Sequence, residues 1–141
     1  PNGTATLNTL QIDGRYGDHT DPYFMSRMGI WFENFALPAV INECLMQSYN
    51  GTIRLFPNWP MDKDAEFNHL RAAGAFLVSA VLKDGKVSKI EILSEAGTPL
   101  NLILPWENCM MINAEGQTEV HSKEIEIKTK KGEAIFFEPK N

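Results

Sequence analysis

The feature that most constrains the fold is a hairpin signal in the middle of the chain. Residues 75–82 (AFLVSAVL) and 87–93 (VSKIEIL) are strand-like segments separated by Lys83-Asp84-Gly85-Lys86. Asp-Gly is a strong signal for a two-residue hairpin turn, and alternation with a period of two sends one side of each strand into a core. We therefore predict an antiparallel hairpin whose inward side chains are Phe76, Val78, Ala80, Leu82, Ile90 and Ile92.

Several more short strand-like segments surround this hairpin. They cover residues 67–72, 100–104, 109–113, 124–128 and 133–137, and glycine- or proline-containing turns punctuate them. Many short strands with regular turns are typical of an antiparallel β-sandwich, which we predict for residues 61–141. Lysines flank and follow the strand at 124–128, as expected of a strand that guards a sheet edge against pairing with other chains.

A helix precedes the strands. Apolar residues recur at helical spacing and predict a helix over 36–49, with one face formed by Leu37, Val40, Ile41, Cys44, Leu45 and Ser48. Asn50-Gly51 supplies left-handed residues that end a helix, and Thr52–Phe56 is a strand that stops at Pro57. The polar, turn-rich residues 1–29 predict an irregular segment. The expected class is mainly β: an antiparallel sandwich preceded by one α-helix and an irregular N-terminal segment.

Composition excludes several classes of function. A net charge of −5 gives no basic surface for nucleic acid, and no apolar run reaches the roughly 20 residues that span a bilayer. The two cysteines, Cys44 and Cys109, form neither a metal pattern nor a disulfide framework and are expected to be buried free thiols. His19 and His121 lack a second ligand at helical spacing, so we predict no metal. Phosphate-loop and dinucleotide motifs are absent from the sequence, and we predict no cofactor.

Four segments occur in an order that resembles a known enzyme family. They are Glu43–Gly51 (ECLMQSYNG), Leu55–Pro60 (LFPNWP), Leu70–Phe76 (LRAAGAF) and Lys83–Lys86 (KDGK). The arrangement is similar to the junction between the catalytic domain and the C-terminal β-domain in α-L-fucosidase-type glycoside hydrolases of family 95. The resemblance covers residues 34–93.

The resemblance implies a domain organisation and partners. Residues 1–60 would be the last segment of an (α/α) barrel, and residues 61–141 the C-terminal β-sandwich domain. The chain begins at Pro1 without a methionine, so we expect it to be a piece of a longer protein. Its partners would be the remainder of the parent chain, which forms the helical barrel, and a carbohydrate substrate. The residues do not indicate a compartment, whereas the resemblance implies a secreted or periplasmic protein.

The resemblance also suggests a catalytic carboxylate. The family's general base is an aspartate in a Q-I-D-G-N-F-G motif, which Gln11–Gly17 (QIDGRYG) matches with Asp13 at that position. Asp13 lies farther from the helix than the family's spacing, so the match requires an insertion. The alternative match by spacing places Glu33 beside the base position. We favour Asp13 and keep Glu33 as the second candidate, while either residue could instead be a solvated loop or helix-start acid.

Three residues are candidates for sugar binding. Trp31 lies in the aromatic segment 25–35 and could stack on a sugar ring, although aromatic residues more often pack in a core. His69 and Arg71 alternate along one predicted strand and could contact sugar hydroxyls. The simpler alternative for Arg71 is an ion pair with Glu66 or another exposed acid.

The sequence therefore predicts the C-terminal part of an enzyme that hydrolyses fucoside- or galactoside-like bonds. The chain would be inactive alone, because the family's general acid lies upstream of every residue present here. The alternative function is a non-catalytic β-sandwich that binds carbohydrate or stabilises a neighbour.

Overall fold

The computed structural model describes residues 37–140 and shows a mainly β protein. The chain divides into two units, Pro1–Ile41 and Asn42–Asn141, and the second unit contains both β-sheets. Residues 37–45 are helical. The strands of the described range are β1 (Met46–Gln47), β2 (Thr52–Leu55), β3 (Ala65–Ala72), β4 (Phe76–Lys83), β5 (Lys86–Ser94), β6 (Leu100–Ile103), β7 (Cys109–Asn113), β8 (Gly116–Val120), β9 (Glu124–Ile127) and β10 (Glu133–Pro139).

The strands form two sheets. Sheet A has the order β1-β2-β6-β9, and sheet B has the order β3-β4-β5-β10-β7-β8. Among these strands every pairing is antiparallel except that of β2 with β6. The parallel pair arises because the chain leaves sheet A after β2, builds β3 to β5 in sheet B, and re-enters sheet A in the same direction. The mainly β prediction is confirmed, with this one parallel pair inside an otherwise antiparallel sandwich.

Both sheets contribute side chains to one hydrophobic core. Ile53, Leu100 and Leu102 come from sheet A and meet Ile135 and Phe137 of sheet B in the same cluster. Strand β4 buries every second residue, as alternation requires. The six predicted inward residues are each at most 2% exposed: Phe76, Val78, Ala80, Leu82, Ile90 and Ile92.

The predicted hairpin turn is confirmed. β4 ends at Lys83 and β5 begins at Lys86, so Asp84 and Gly85 form the two-residue connection. Their φ angles are 49° and 72°, the left-handed pair that matches the twist of the flanking strands.

The predicted helix is too long at its C-terminal end. Residues 46–47 are extended, because Met46 and Gln47 pair with Leu55 and Arg54 of β2. Met46 is only 5% exposed, so this pairing buries a large apolar side chain that an extra helical turn would place elsewhere. Asn50 and Gly51 adopt the left-handed conformation, but in a 3-10 turn (Tyr49–Gly51) after the strand and not at the helix end.

The helical residues expose an apolar face. Leu37, Val40 and Ile41 are 41%, 57% and 40% exposed. Contiguous exposed apolar surface of this kind usually marks a contact with another protein surface.

We expect this apolar face to make the chain self-associate. Light scattering should show an average mass that rises with concentration, and the triple change Leu37→Ser, Val40→Ser and Ile41→Ser should reduce that rise. Asn42→Ser is the matched control on an exposed polar position of the same helix. A monodisperse monomer at high concentration, with no binding of a dye that reports apolar surface, would contradict the expectation.

The two free cysteines differ in their environment, which corrects the prediction that both are buried. Cys44 is half-buried, whereas Cys109 is 1% exposed. Burial raises the pKa of the Cys109 thiol, so less of the reactive thiolate forms near neutral pH.

We therefore expect an alkylating reagent to label Cys44 in the folded protein and Cys109 only after unfolding. A Cys44→Ser variant should show no rapidly reacting thiol until denaturant is added, which mass spectrometry can measure. Equal labelling rates for both thiols in the folded protein would place Cys109 outside the core.

Within residues 37–140, no helix is long and apolar enough to cross a membrane.

Candidate functional site

The candidates Asp13, Glu33 and Trp31 lie outside the described residues. The segment 1–60, assigned to the end of a helical barrel, also lies partly outside the described residues, and its described part includes β1 and β2, which pair within sheet A. These assignments stay predictions. The described candidates are His69 and Arg71, which both lie on β3.

His69 lies in a β-bulge that the sequence did not reveal. The pairing of β3 with β4 shifts between Phe67 and Leu70, which adds one residue to β3. His69 has φ 54° at this point, and its backbone N–H donates to Ser79 Oγ at 3.0 Å. At the bulge, the Ser79 hydroxyl accepts the hydrogen bond that a backbone carbonyl of the neighbouring strand would accept in a regular sheet. The imidazole is exposed and makes no hydrogen bond within residues 37–140, so His69 is placed by backbone geometry alone.

Arg71 forms a two-pronged ion pair with Glu95. Nη1 contacts Oε2, and Nη2 donates to Oε1 at 3.3 Å. The hydrogen bond and then the charge of Glu95 raise the pKa of Arg71. Nearby, Glu95 N–H donates to Ala75 O at 2.9 Å and Thr98 Oγ1 donates to Gly74 O at 2.6 Å. Arg71 therefore connects β3 to the loop after β5. This agrees with the simpler alternative predicted for Arg71, an ion pair with an acid, although the partner is Glu95 and not Glu66.

The other displaced pKa values of charged groups also belong to surface ion pairs. The hydrogen bond from Lys130 Nζ to Glu115 Oε1, at 2.7 Å, lowers the pKa of Glu115 and raises that of Lys130. The hydrogen bond from Lys140 Nζ to Glu119 Oε2, at 2.8 Å, lowers the pKa of Glu119. Perturbed carboxylates can mark catalytic sites, but here a lysine partner explains each shift.

The outer side of sheet A carries a polar face made of Thr52, Arg54, Asn101, Glu124 and Glu126, which line a cleft of about 320 Å³. The strand register aligns Thr52 with Asn101 and Glu126, and Arg54 with Ile103 and Glu124. The Arg54 guanidinium lies 5.2 Å from the centroid of the Tyr49 ring, and Nη1 donates to Thr52 O at 3.3 Å. The guanidinium covers part of the Tyr49 ring, and the residue remains 58% exposed beside this polar face.

A second concave surface lies at one end of the sandwich, and we call it the Trp106 hollow. It has a volume of about 410 Å³ and a mainly apolar lining that includes Met61, Lys86, Val87, Ser88, Trp106 and Pro139. The volume falls in the range of about 300–1,000 Å³ typical of small-molecule sites. Trp106 is half-buried, since part of its indole packs on the core while the rest borders the hollow.

The loop that presents Trp106 is fixed at both ends. Leu104 is 1% exposed, and its N–H donates to Lys123 O at 2.7 Å. After the tryptophan, Asn108 Oδ1 accepts a hydrogen bond from His121 Nδ1 at 2.7 Å. Lys140 N–H donates to Asn108 O at 3.5 Å. These contacts hold the backbone on both sides of Trp106 in place before any ligand arrives, which lowers the entropy cost of binding.

The β4–β5 turn forms the opposite wall of the hollow. Asp84 N–H donates to Asp64 Oδ1 at 2.9 Å, which holds the turn against the loop before β3. Gly85 has φ +72°, and a Cβ there would lie 3.3 Å from Met61 O. A side chain at Gly85 would therefore strain the turn and crowd the wall.

Sequence reasoning did not select Trp106 or the polar face. Trp106 follows Pro105 directly after a strand, in a segment without hydrophobic periodicity, so pattern analysis treats it as a loop residue. The available signal was a large aromatic residue in a short loop behind a proline, because loops on rigid scaffolds often carry binding residues.

No group of three or more histidine, cysteine, aspartate or glutamate side chains in residues 37–140 is arranged to hold a metal ion. No protein-family model matches the sequence, and no curated protein matches it either.

Proposed function

We propose that this chain is the C-terminal part of a glycoside hydrolase that cleaves fucoside- or galactoside-like bonds, and that its β-sandwich is not catalytic by itself. Support comes from the four ordered segments and from a helix that leads into a sandwich, the order that the family resemblance implies. The observation that carries the proposal is the exposed apolar face at Leu37, Val40 and Ile41. Neighbouring helices of a barrel would cover such a face in the parent protein.

The ion pairs of the sandwich support a non-catalytic role for it. Arg71, Glu115 and Glu119 each have a structural partner on the surface. An inverting hydrolase needs two carboxyl groups roughly 6.5–9.5 Å apart on opposite sides of the sugar. The proposed base, Asp13 or Glu33, precedes the sandwich, and its acid partner would come from the parent barrel.

The test compares the full-length parent protein with this chain on aryl α-L-fucosides and aryl galactosides. We expect the full-length protein to release the aryl group and the chain alone to release none. A full-length protein that hydrolyses no aryl glycoside would overturn the hydrolase proposal.

The second candidate function is a non-catalytic carbohydrate-binding module. The Trp106 hollow favours it, because a half-buried indole on a loop held at both ends is a surface on which a sugar ring can stack.

A further inference from the structure

We infer that the Trp106 hollow is a binding site for one pyranose ring of a neutral saccharide. Neither the proposed hydrolytic reaction nor any residue with a candidate catalytic role uses this surface. The inference rests on the proposed carbohydrate function only for the choice of sugars to be tested.

The lining of the hollow matches the two kinds of surface that a pyranose presents. A pyranose has an apolar side formed by C–H groups and a rim of hydroxyls. The hollow has an apolar lining that includes Trp106, Val87 and Pro139, and Ser88 and Lys86 are the polar residues beside it. The Ser88 hydroxyl donates to Val81 O at 3.4 Å, so its oxygen can still accept a hydrogen bond. A few polar groups around an apolar floor can fix the orientation of a small ligand.

The charges of the hollow favour a neutral ligand over an acidic one. Among the described residues that line it, Lys86 is the only charged one. Of the neighbouring charges, Glu107 pairs with Lys123 at 3.2 Å and Lys140 pairs with Glu119 at 2.8 Å. A single lysine can donate hydrogen bonds to sugar hydroxyls, whereas sites for carboxylates and phosphates usually combine several basic groups.

A proline-rich peptide is the main competing occupant, because such peptides also dock on tryptophan. Grooves for these peptides use aromatic walls that receive successive residues of an extended helix. Of the lining residues within 37–140, one is aromatic, and the Asp84-Gly85 turn closes the other side of the Trp106 hollow. This shape fits one ring better than an extended peptide.

The experiment is a titration of the ¹⁵N-labelled full chain, followed by NMR, with methyl α-L-fucopyranoside, methyl β-D-galactopyranoside and methyl β-D-glucopyranoside. We expect at least one glycoside to shift the Trp106 indole N–H and the amides of Gly85 and Ser88 in a saturable way. The Gly51 amide, in the turn before β2, should stay unshifted. The absence of saturable shifts at Trp106 for all three glycosides would overturn the inference.

Substitutions locate the site independently of the NMR map. Trp106→Ala should weaken binding about tenfold or more, the loss expected when ring stacking is removed, while Trp106→Phe should retain part of the affinity. Tyr49→Ala is the matched control, because Tyr49 is 58% exposed on a different surface. If Tyr49→Ala abolishes binding and Trp106→Ala does not, the sugar binds at the polar face and the inference is overturned.

Two further measurements separate the alternatives. A proline-rich peptide that shifts the Trp106 signals when no glycoside does would assign the hollow to peptide binding. In the full-length protein, Trp106→Ala should leave hydrolysis of small aryl glycosides unchanged. Failure of sugar binding at the hollow is therefore distinguishable from failure of the hydrolase proposal.

Discussion

Replacing Phe76 by alanine is expected to lower the free energy of unfolding by about 3–5 kcal/mol. Phe76 is 2% exposed at the start of β4, and its side chain belongs to the core that both sheets share. Truncation removes transfer free energy and leaves a cavity, because the paired strands around it can relax only in part. Chemical denaturation of Phe76→Ala and the unchanged protein, with equal slopes, measures the loss.

Phe136→Ala is the matched control for this prediction. Phe136 lies on β10 between the buried Ile135 and Phe137, so its half-buried ring faces the opposite side of sheet B, where Lys89 Nζ lies 5.4 Å from the ring centroid. We expect a loss of about 1 kcal/mol there. If the two substitutions cost the same amount, the assignment of Phe76 to the core side of the sheet is wrong.

In the full-length parent protein, Asp13→Asn is expected to abolish hydrolysis while sugar binding stays within a few-fold. The amide preserves the shape of the side chain but cannot accept a proton from the attacking water. Loss of general base catalysis typically lowers the rate by about 10²–10⁴-fold. Turnover of an aryl α-L-fucoside and equilibrium binding of fucose, measured on the same preparation, test both parts of this expectation.

Glu33→Gln distinguishes the two candidate bases. If Asp13 is the base, Glu33→Gln should retain most of the activity. Normal turnover in Asp13→Asn together with inactive Glu33→Gln would show that the spacing alignment identifies the base correctly. If neither change affects turnover, both assignments are wrong.

Sequence periodicity predicted the centre of the sandwich well, for a physical reason. In β4 and β5 every inward position except Ser94 is apolar, and the Asp84-Gly85 pair indicates a two-residue hairpin turn between the strands. β8 was missed because its residues Gly116–Val120 are exposed or half-buried, so no apolar alternation marks them. The parallel pairing of β2 with β6 was not predictable, because it depends on the path of the intervening chain between the sheets.

The errors in the helix and in β3 have a common cause. The predicted helical face runs past Met46 to Ser48, but pairing with β2 stabilises an extended backbone at Met46 and Gln47. In β3 the alternation runs through Phe67, His69 and Arg71, but the bulge places Leu70 and Ala72 on the same side as Phe67. In both segments a contact with a distant strand overrides the local pattern.

The candidate site was harder to predict than the fold. The ion-pair alternative for Arg71 was correct in kind, yet its partner Glu95 follows β5 and becomes a neighbour only after β3, β4 and β5 have paired. The Trp106 hollow combines residues from four separate parts of the chain, including Met61, the β4–β5 turn and the end of β10. Local patterns contain no information about such an assembly.

The position of β10 has a consequence for synthesis on the ribosome. Its residues Glu133–Pro139 follow every other strand of sheet B in the sequence, yet they lie between β5 and β7. Until these residues emerge, the sheet consists of two separate pieces, β3–β5 and β7–β8, with Ile92 and Met111 lacking their partners Ile135 and Phe137. The nascent chain therefore carries two unprotected strand edges until β10 emerges, a period in which chaperones can bind and neighbouring chains can pair wrongly.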